Sequence, residues 1–195
     1  HDIQAALDVA TNGSTVLVTD GTYRVSTQLS ITQQITLRGA NVYPMPIIHA
    51  ESNRCLYVGA PATIQGLKFT NGYVNTAPKF GAGVYAVSTG VTVQNCGFFR
   101  NSAGTSGQGG GLWLGTSGHM ESCTFLQNSA GDGGALYAAG VVYLDSGYFI
   151  DNVAETNGAG IYANNTNAAI RFGVFQRNAA KVNSGAIYTR GSVSA

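Results

Sequence analysis

"GAGVYAV", residues 81–87, sets small residues ahead of one aliphatic residue and one aromatic ring. The pattern returns as "GGGLWLG" at 109–115, "GGALYAA" at 133–139, "GAGIYAN" at 158–164 and "SGAIYTR" at 184–190, with a degenerate copy, "RCLYVGA", at 54–60. The aliphatic residues Leu56, Val84, Leu112, Leu136, Ile161 and Ile187 are spaced 28, 28, 24, 25 and 26 apart. A second motif keeps the same step, a Phe three residues before an Asn: Phe98 and Asn101, Phe125 and Asn128, Phe149 and Asn152, Phe175 and Asn178. "KFTNG" at 68–72, led by Phe69, is an imperfect earlier copy. Two motifs on one period mark an internal repeat, the signature of a solenoid or array.

Within each repeat the apolar residues alternate. "VTVQNC" sets Val91 and Val93 on one face and Thr92 and Gln94 on the other, which is strand periodicity. The aligned residues Ile64, Val93, Met120, Leu144 and Ile170 form an apolar column, with Gln65, Gln94, Glu121, Asp145 and Arg171 as the polar column beside it. A period near 26 with short strands and no helix predicts one turn of a coiled parallel sheet. Neighbouring coils then stack about 4.8 Å apart.

Composition agrees. Only 10% of the 195 residues are charged, and 27 are glycine, which disfavours helices. A net charge of +1 with no basic run argues against nucleic acid or an anionic membrane surface as partner. No apolar stretch approaches the length that spans a bilayer, so membrane insertion is not expected.

On these motifs the chain resembles the right-handed parallel β-helices of the pectin-lyase-like superfamily. Its small-residue–aliphatic and Phe-x-x-Asn motifs are similar to the repeats of chlamydial polymorphic membrane proteins and related bacterial surface proteins, over about residues 55–190. The segment "IQAALDVATNGSTVLVTDGTYRV" resembles the entry of such folds, where a short amphipathic helix (Ile3, Ala6, Leu7, Ala10) covers the first coil. The expected fold is therefore all-β: a right-handed parallel β-helix of about six to seven coils with a short N-terminal capping helix. The chain reads as one β-helix domain over 1–195, with the cap and first coils in 1–50 and regular repeats in 51–195. By register "SVSA" falls where "VTVQNC" opens an earlier coil, so the last coil is expected to be incomplete, to be finished by further chain or by another subunit.

If Val84 and its equivalents point inward, the next residue points outward. Tyr57, Tyr85, Trp113, Tyr137, Tyr162 and Tyr188 are then one exposed column, flanked by Cys55, Gly83, Gly111, Ala135, Gly160 and Ala186, also read as outward. Two compatible readings stand: stacked rings that stabilise the sheet, or a contact surface for a glycan or another protein. The Phe column is read as core, and the Asn column as a hydrogen-bonded ladder at a turn.

Enzymes of the resembled superfamily need clustered acids, often with calcium, or a base acting on an acidic sugar. Here Asp145 faces Arg171, Asp151 faces Arg177 and Glu155 faces Lys181, each 26 residues on, which predicts neutralising pairs between coils. Glu121 beside Asp145 is the remaining catalytic or calcium-binding candidate, although Arg171 beyond Asp145 argues for structure. His1, His49 and His119 share no motif. Cys96 and Cys123 are expected to be stacked, inward and free, because strand spacing exceeds disulfide reach. No cofactor or metal is implied. Ice binding would need a regular outward Thr array, and none is read. The expected function is a non-catalytic extracellular or cell-surface structural or adhesive module, with a glycan or a second copy stacked on the last coil as partner. The alternative is a polysaccharide-binding or polysaccharide-cleaving protein.

Overall fold

A computed structural model describes residues 2–41, 43–164, 168–191 and 193–194. Helix Ile3–Val9 comes first, its N-terminus capped by the Asp2 carboxylate, which accepts from the backbone N–H of Gln4 (2.9 Å) and Ala5 (3.3 Å). Ile3 and Leu7 are buried over the first coil, against strands Thr15–Val18 and Leu29–Ile31. The Gln4 side chain extends the seam by accepting from the Ser30 backbone N–H at 2.8 Å.

Every strand pairing among the described residues is parallel, and each coil pairs with the one before and the one after. One sheet stacks Leu29–Ile31, Leu56–Val58, Val84–Ala86, Leu112–Leu114, Leu136–Ala138, Ile161–Ala163 and Ile187–Thr189. A second, larger sheet carries two strands per coil, such as Val91–Gln94 and Gly97–Phe99; in later coils these fuse into Gly118–Leu126, Val142–Ile150 and Ala168–Gln176. A short third sheet joins Ser129–Asp132, Val153–Asn157 and Ala179–Ala180. The result is a parallel β-solenoid.

Three stacked columns of left-handed residues turn the chain at its corners. One is Gly66, Asn95, Ser122, Ser146 and Phe172, with φ between 51° and 66°. The next is Asn71, Arg100, Gln127, Asp151 and Arg177, with φ between 50° and 58°. The third is Gly81, Gly109, Gly133, Gly158 and Ser184. Such φ values bend the chain sharply at one residue but cost most side chains energy, so they persist only where the stacked coils on either side impose them.

The interior is built from columns. Phe69, Phe98, Phe125 and Phe149 are buried, and consecutive rings from Phe98 to Phe175 lie 4.5, 4.9 and 4.8 Å apart with planes within 7°. Ile64, Val93, Met120 and Leu144 stand in register at 2% exposure or less. Val84, Leu112, Leu136 and Ile161 are likewise buried, whereas Ile187 and Phe175 in the last coil are half-buried.

Beside the Phe column, Asn101, Asn128 and Asn152 are fully buried without charge. The Oδ1 of each of Asn128, Asn152 and Asn178 accepts two bonds from the Asn one coil earlier, and each Nδ2 donates to a Phe carbonyl. Buried amides survive only when so satisfied.

Two expectations fail. Cys55, Gly83, Gly111, Ala135 and Gly160 are buried, not outward. They sit in the bend just ahead of each strand, where two-residue alternation does not apply. A Cβ on Gly111 would stand 2.8 Å from Phe125 Cδ1, inside the core. One on Gly110 would press on the Ser129 and Gly134 carbonyl oxygens. The bare backbone ahead of each ring is thus needed because the turn packs onto the neighbouring strand and the Phe column. The second failure concerns threonine: Thr15, Thr36, Thr63 and Thr92 stand in register as one outward row, which ends where His119 and Tyr143 follow. Unequal coil lengths in the first third of the chain hide that row from a simple count.

Candidate functional site

The register pairs Tyr57 with Tyr85, Tyr85 with Trp113, and so on through Tyr137, Tyr162 and Tyr188. Each ring follows an inward aliphatic residue in a three-residue strand and so faces out of the solenoid. Ring centroids are 5.8, 5.0, 6.3, 4.8 and 5.1 Å apart along the column.

The rings do not stand clear of their surroundings. Tyr137 and Tyr162 are only 5% and 6% exposed, and the other four are half-buried. Trp113, Tyr137 and Tyr162 stack nearly parallel, within 6°, and cover one another's faces. A wall formed five residues ahead of each ring covers an edge: Phe80, Gln108, Asp132, Asn157 and Asn183, paired from coil to coil. Phe80 stacks on Trp113 at 5.2 Å and lies 5.7 Å from Tyr85. The Trp113 Nε1–H donates to Gln108 Oε1 at 3.2 Å. Burial, with the neighbouring Tyr162 and Asp132, raises the Tyr137 hydroxyl to about 12. The wall is itself laced: Asp132 Oδ1 accepts from Thr156 Oγ1 (2.5 Å) and Asn157 Nδ2 (2.9 Å), and Asn183 Nδ2 donates to Asn157 Oδ1 at 2.7 Å.

The stripe therefore divides in two. Around Tyr137 and Tyr162 it is packing. Around Tyr57, Tyr85 and Trp113, with Phe80, it leaves aromatic surface open, and the Arg54 guanidinium lies 4.8 Å over the Tyr85 ring. Such partly open aromatic surface can pack on a sugar or anchor a protein contact. Phe80 and Gln108 were legible as a constant five-residue offset from the ring. Arg54 gives no such signal, since it takes the place of a small residue in one copy only.

The carboxylate pair is also placed. Glu121 and Asp145 are register partners, as are Asp145 and Arg171. Glu121 Oε2 accepts from Gln94 Nε2 at 3.0 Å, which turns it toward the earlier coil. Two of the three expected ion pairs form: Arg177 Nε to Asp151 Oδ1 at 2.6 Å and Lys181 Nζ to Glu155 Oε2 at 2.5 Å. Asp145 and Arg171, although opposite, make no contact within ion-pair distance. Both are exposed, where water competes evenly with so weak an interaction. Arg177 holds the Asp151 carboxyl below its ordinary value.

Among the described residues no group of three His, Cys, Asp or Glu could hold a metal ion; His1 lies outside them. Cys55, Cys96 and Cys123 are free and buried, and burial raises Cys55 and Cys123 to about 12 and Cys96 upward as well. They are packing groups rather than nucleophiles. No described helix is long and apolar enough to cross a membrane.

Residues 122–139 match the repeat of the Chlamydia polymorphic membrane protein family. The matched segment contains Phe125, Asn128 and the "GGALY" turn, the same elements that build the core column, the ladder and the stripe. No curated protein and no solved structure matches the chain.

Proposed function

We propose that this chain is a non-catalytic structural or adhesive module, displayed at a cell surface or outside the cell. The observation that supports it is the chlamydial surface-type repeat over 122–139, whose motif recurs in register through the neighbouring coils. Outward polar groups are spent on neighbours, as in Gln94 with Glu121, Arg100 with Gln127, and Asp151 with Arg177. The rigid column so formed suits a stalk or platform better than a reaction centre. Protease shaving of intact source cells, with antibody detection of the released chain, tests display. Protection from protease until the cells are lysed would defeat it.

A glycan is the partner we propose for the open end of the stripe, Tyr57, Tyr85, Phe80 and Trp113, because these half-buried rings leave apolar surface open with hydrogen-bonding groups at the rim. Binding should shift Trp113 fluorescence, and Trp113→Ala should weaken it by on the order of 1–3 kcal/mol without unfolding. A second copy stacked on the 168–191 coil is the other partner we propose, supported by the parallel pairing through which each coil adds to the one before. Sedimentation across a dilution series tests it, and a dilution-independent monomer would defeat it. Cleavage by Glu121 and Asp145 is the competing reading; turnover of any polysaccharide that Glu121→Gln abolishes would establish it.

A further inference from the structure

Segments 26–28, 52–54 and 73–76, from three successive coils, enclose an open cavity of about 340 Å3. That is at the low end of the ~300–1,000 Å3 of small-molecule sites. Ser26, Thr27, Gln28, Asn53, Arg54 and Thr76 are among its lining groups, and no carboxylate is.

Arg54 is 8% exposed. Its Nε donates to the Phe80 and Gly81 carbonyls, both at 3.0 Å, and its Nη2 to the Pro78 (3.3 Å) and Phe80 (2.8 Å) carbonyls. Its Nη1 donates to Gln28 Oε1 at 2.6 Å. Among the described residues every acceptor is neutral, and one Nη1 hydrogen has none. A buried guanidinium is expected to have an anion beside it, and burial here disfavours the charged form. Asn53 has the opposite need. Its Nδ2 donates to the Val25 and Ser26 carbonyls, while its Oδ1 is buried with no donor, the one such side-chain atom among the described residues.

The lining thus combines an under-compensated cation with the hydroxyl-bearing Ser26, Thr27 and Thr76, while Asn53 Oδ1 is itself closed to solvent. We propose that the cavity binds a small hydroxylated carboxylate, a sugar acid or hydroxy acid, with the carboxylate on Arg54 and its hydroxyls hydrogen-bonded to the polar lining. The site adjoins the aromatic stripe and does not depend on the surface-module reading. Arg54 touches both, reaching Tyr85 with one face of its guanidinium.

The test is calorimetric titration of the full chain with D-glucuronate, D-gluconate, D-glucose and acetate. The two hydroxy acids should bind, and glucose and acetate should bind at least ~10-fold more weakly, since each lacks one of the two hydrogen-bonded groups. Asn75→Asp places a carboxylate in the exposed lining without touching a bond of Arg54 and should weaken the acids about 10-fold with an unchanged melting temperature. Arg54→Met should abolish binding; should that variant lose its fold along with its grip on residues 78–81, Asn75→Asp decides alone. A glycan array then separates the two sources: retention of chains ending in an acidic sugar identifies a glycan terminus, and binding of free acids alone identifies a small metabolite. Failure of both acids to bind, acetate binding as tightly as glucuronate, or indifference to Asn75→Asp would each overturn the proposal.

Discussion

Asn128 Oδ1 accepts from both the backbone N–H (3.1 Å) and the side-chain Nδ2 (2.9 Å) of Asn101, one coil away. The same amide donates through Nδ2 to Asn152 Oδ1 and to the Phe98 carbonyl, both at 3.0 Å. One buried side chain therefore ties together three coils.

Asn128→Ala should leave two Asn101 donors, the backbone N–H and one Nδ2 hydrogen, without an acceptor in the interior. Each such group costs about 1–3 kcal/mol, so a loss of about 3 kcal/mol or more is expected in urea unfolding. Asn178→Ala, at a half-buried position, should cost less. Equal losses at the two sites would show that burial does not set the ladder's strength.

Phe125 lies between Phe98 at 4.5 Å and Phe149 at 4.9 Å and is fully buried. Phe125→Ala should cost roughly 3–5 kcal/mol. A loss below ~1 kcal/mol would place the ring at the surface.

Two glycines should behave in opposite ways. Gly110→Ala drives a methyl against the Ser129 and Gly134 carbonyl oxygens and should cost about 1–3 kcal/mol. Gly97→Ala meets nothing nearer than Lys68 Cγ at 3.5 Å, an ordinary contact, and should be neutral or stabilise by up to ~1 kcal/mol. Paired melting curves of the two variants check this.

The Asp151–Arg177 pair makes a prediction in pH. Its hydrogen bond to Arg177 lowers the folded carboxyl pKa. The pair's contribution is therefore present above the unfolded carboxylate pKa and is lost as pH falls through the folded one. Stability should acquire a small acid slope below about pH 4. Asp151→Asn should remove that slope and change nothing at neutral pH beyond the loss of a surface pair. Identical acid slopes in the two proteins would refute the assignment.

The thiols offer an independent check on the interior. With Cys55 and Cys123 raised to about 12 by burial, all three cysteines should resist thiol reagents at pH 8 and react promptly in denaturant. Rapid labelling of the native chain would contradict their placement.

The sequence by itself determined the period, the parallel stacking and the inward columns. Side chains one coil apart in a solenoid are also one period apart in sequence, so Phe98, Phe125, Phe149 and Phe175 reported their own contacts. The same logic exposed the Asn ladder and two of the three ion pairs. Tertiary structure alone decided what happens inside the bends, where left-handed residues break the two-residue alternation. That is why Gly111 proved inward. It also decided how much of each ring stays open, because exposure depends on the wall of Phe80, Gln108 and Asp132 lying over the stripe. The cavity at Arg54 belongs to this second kind. It arises where a single arginine replaces a small residue in one copy, and no periodicity announces what a lone departure from the repeat will touch.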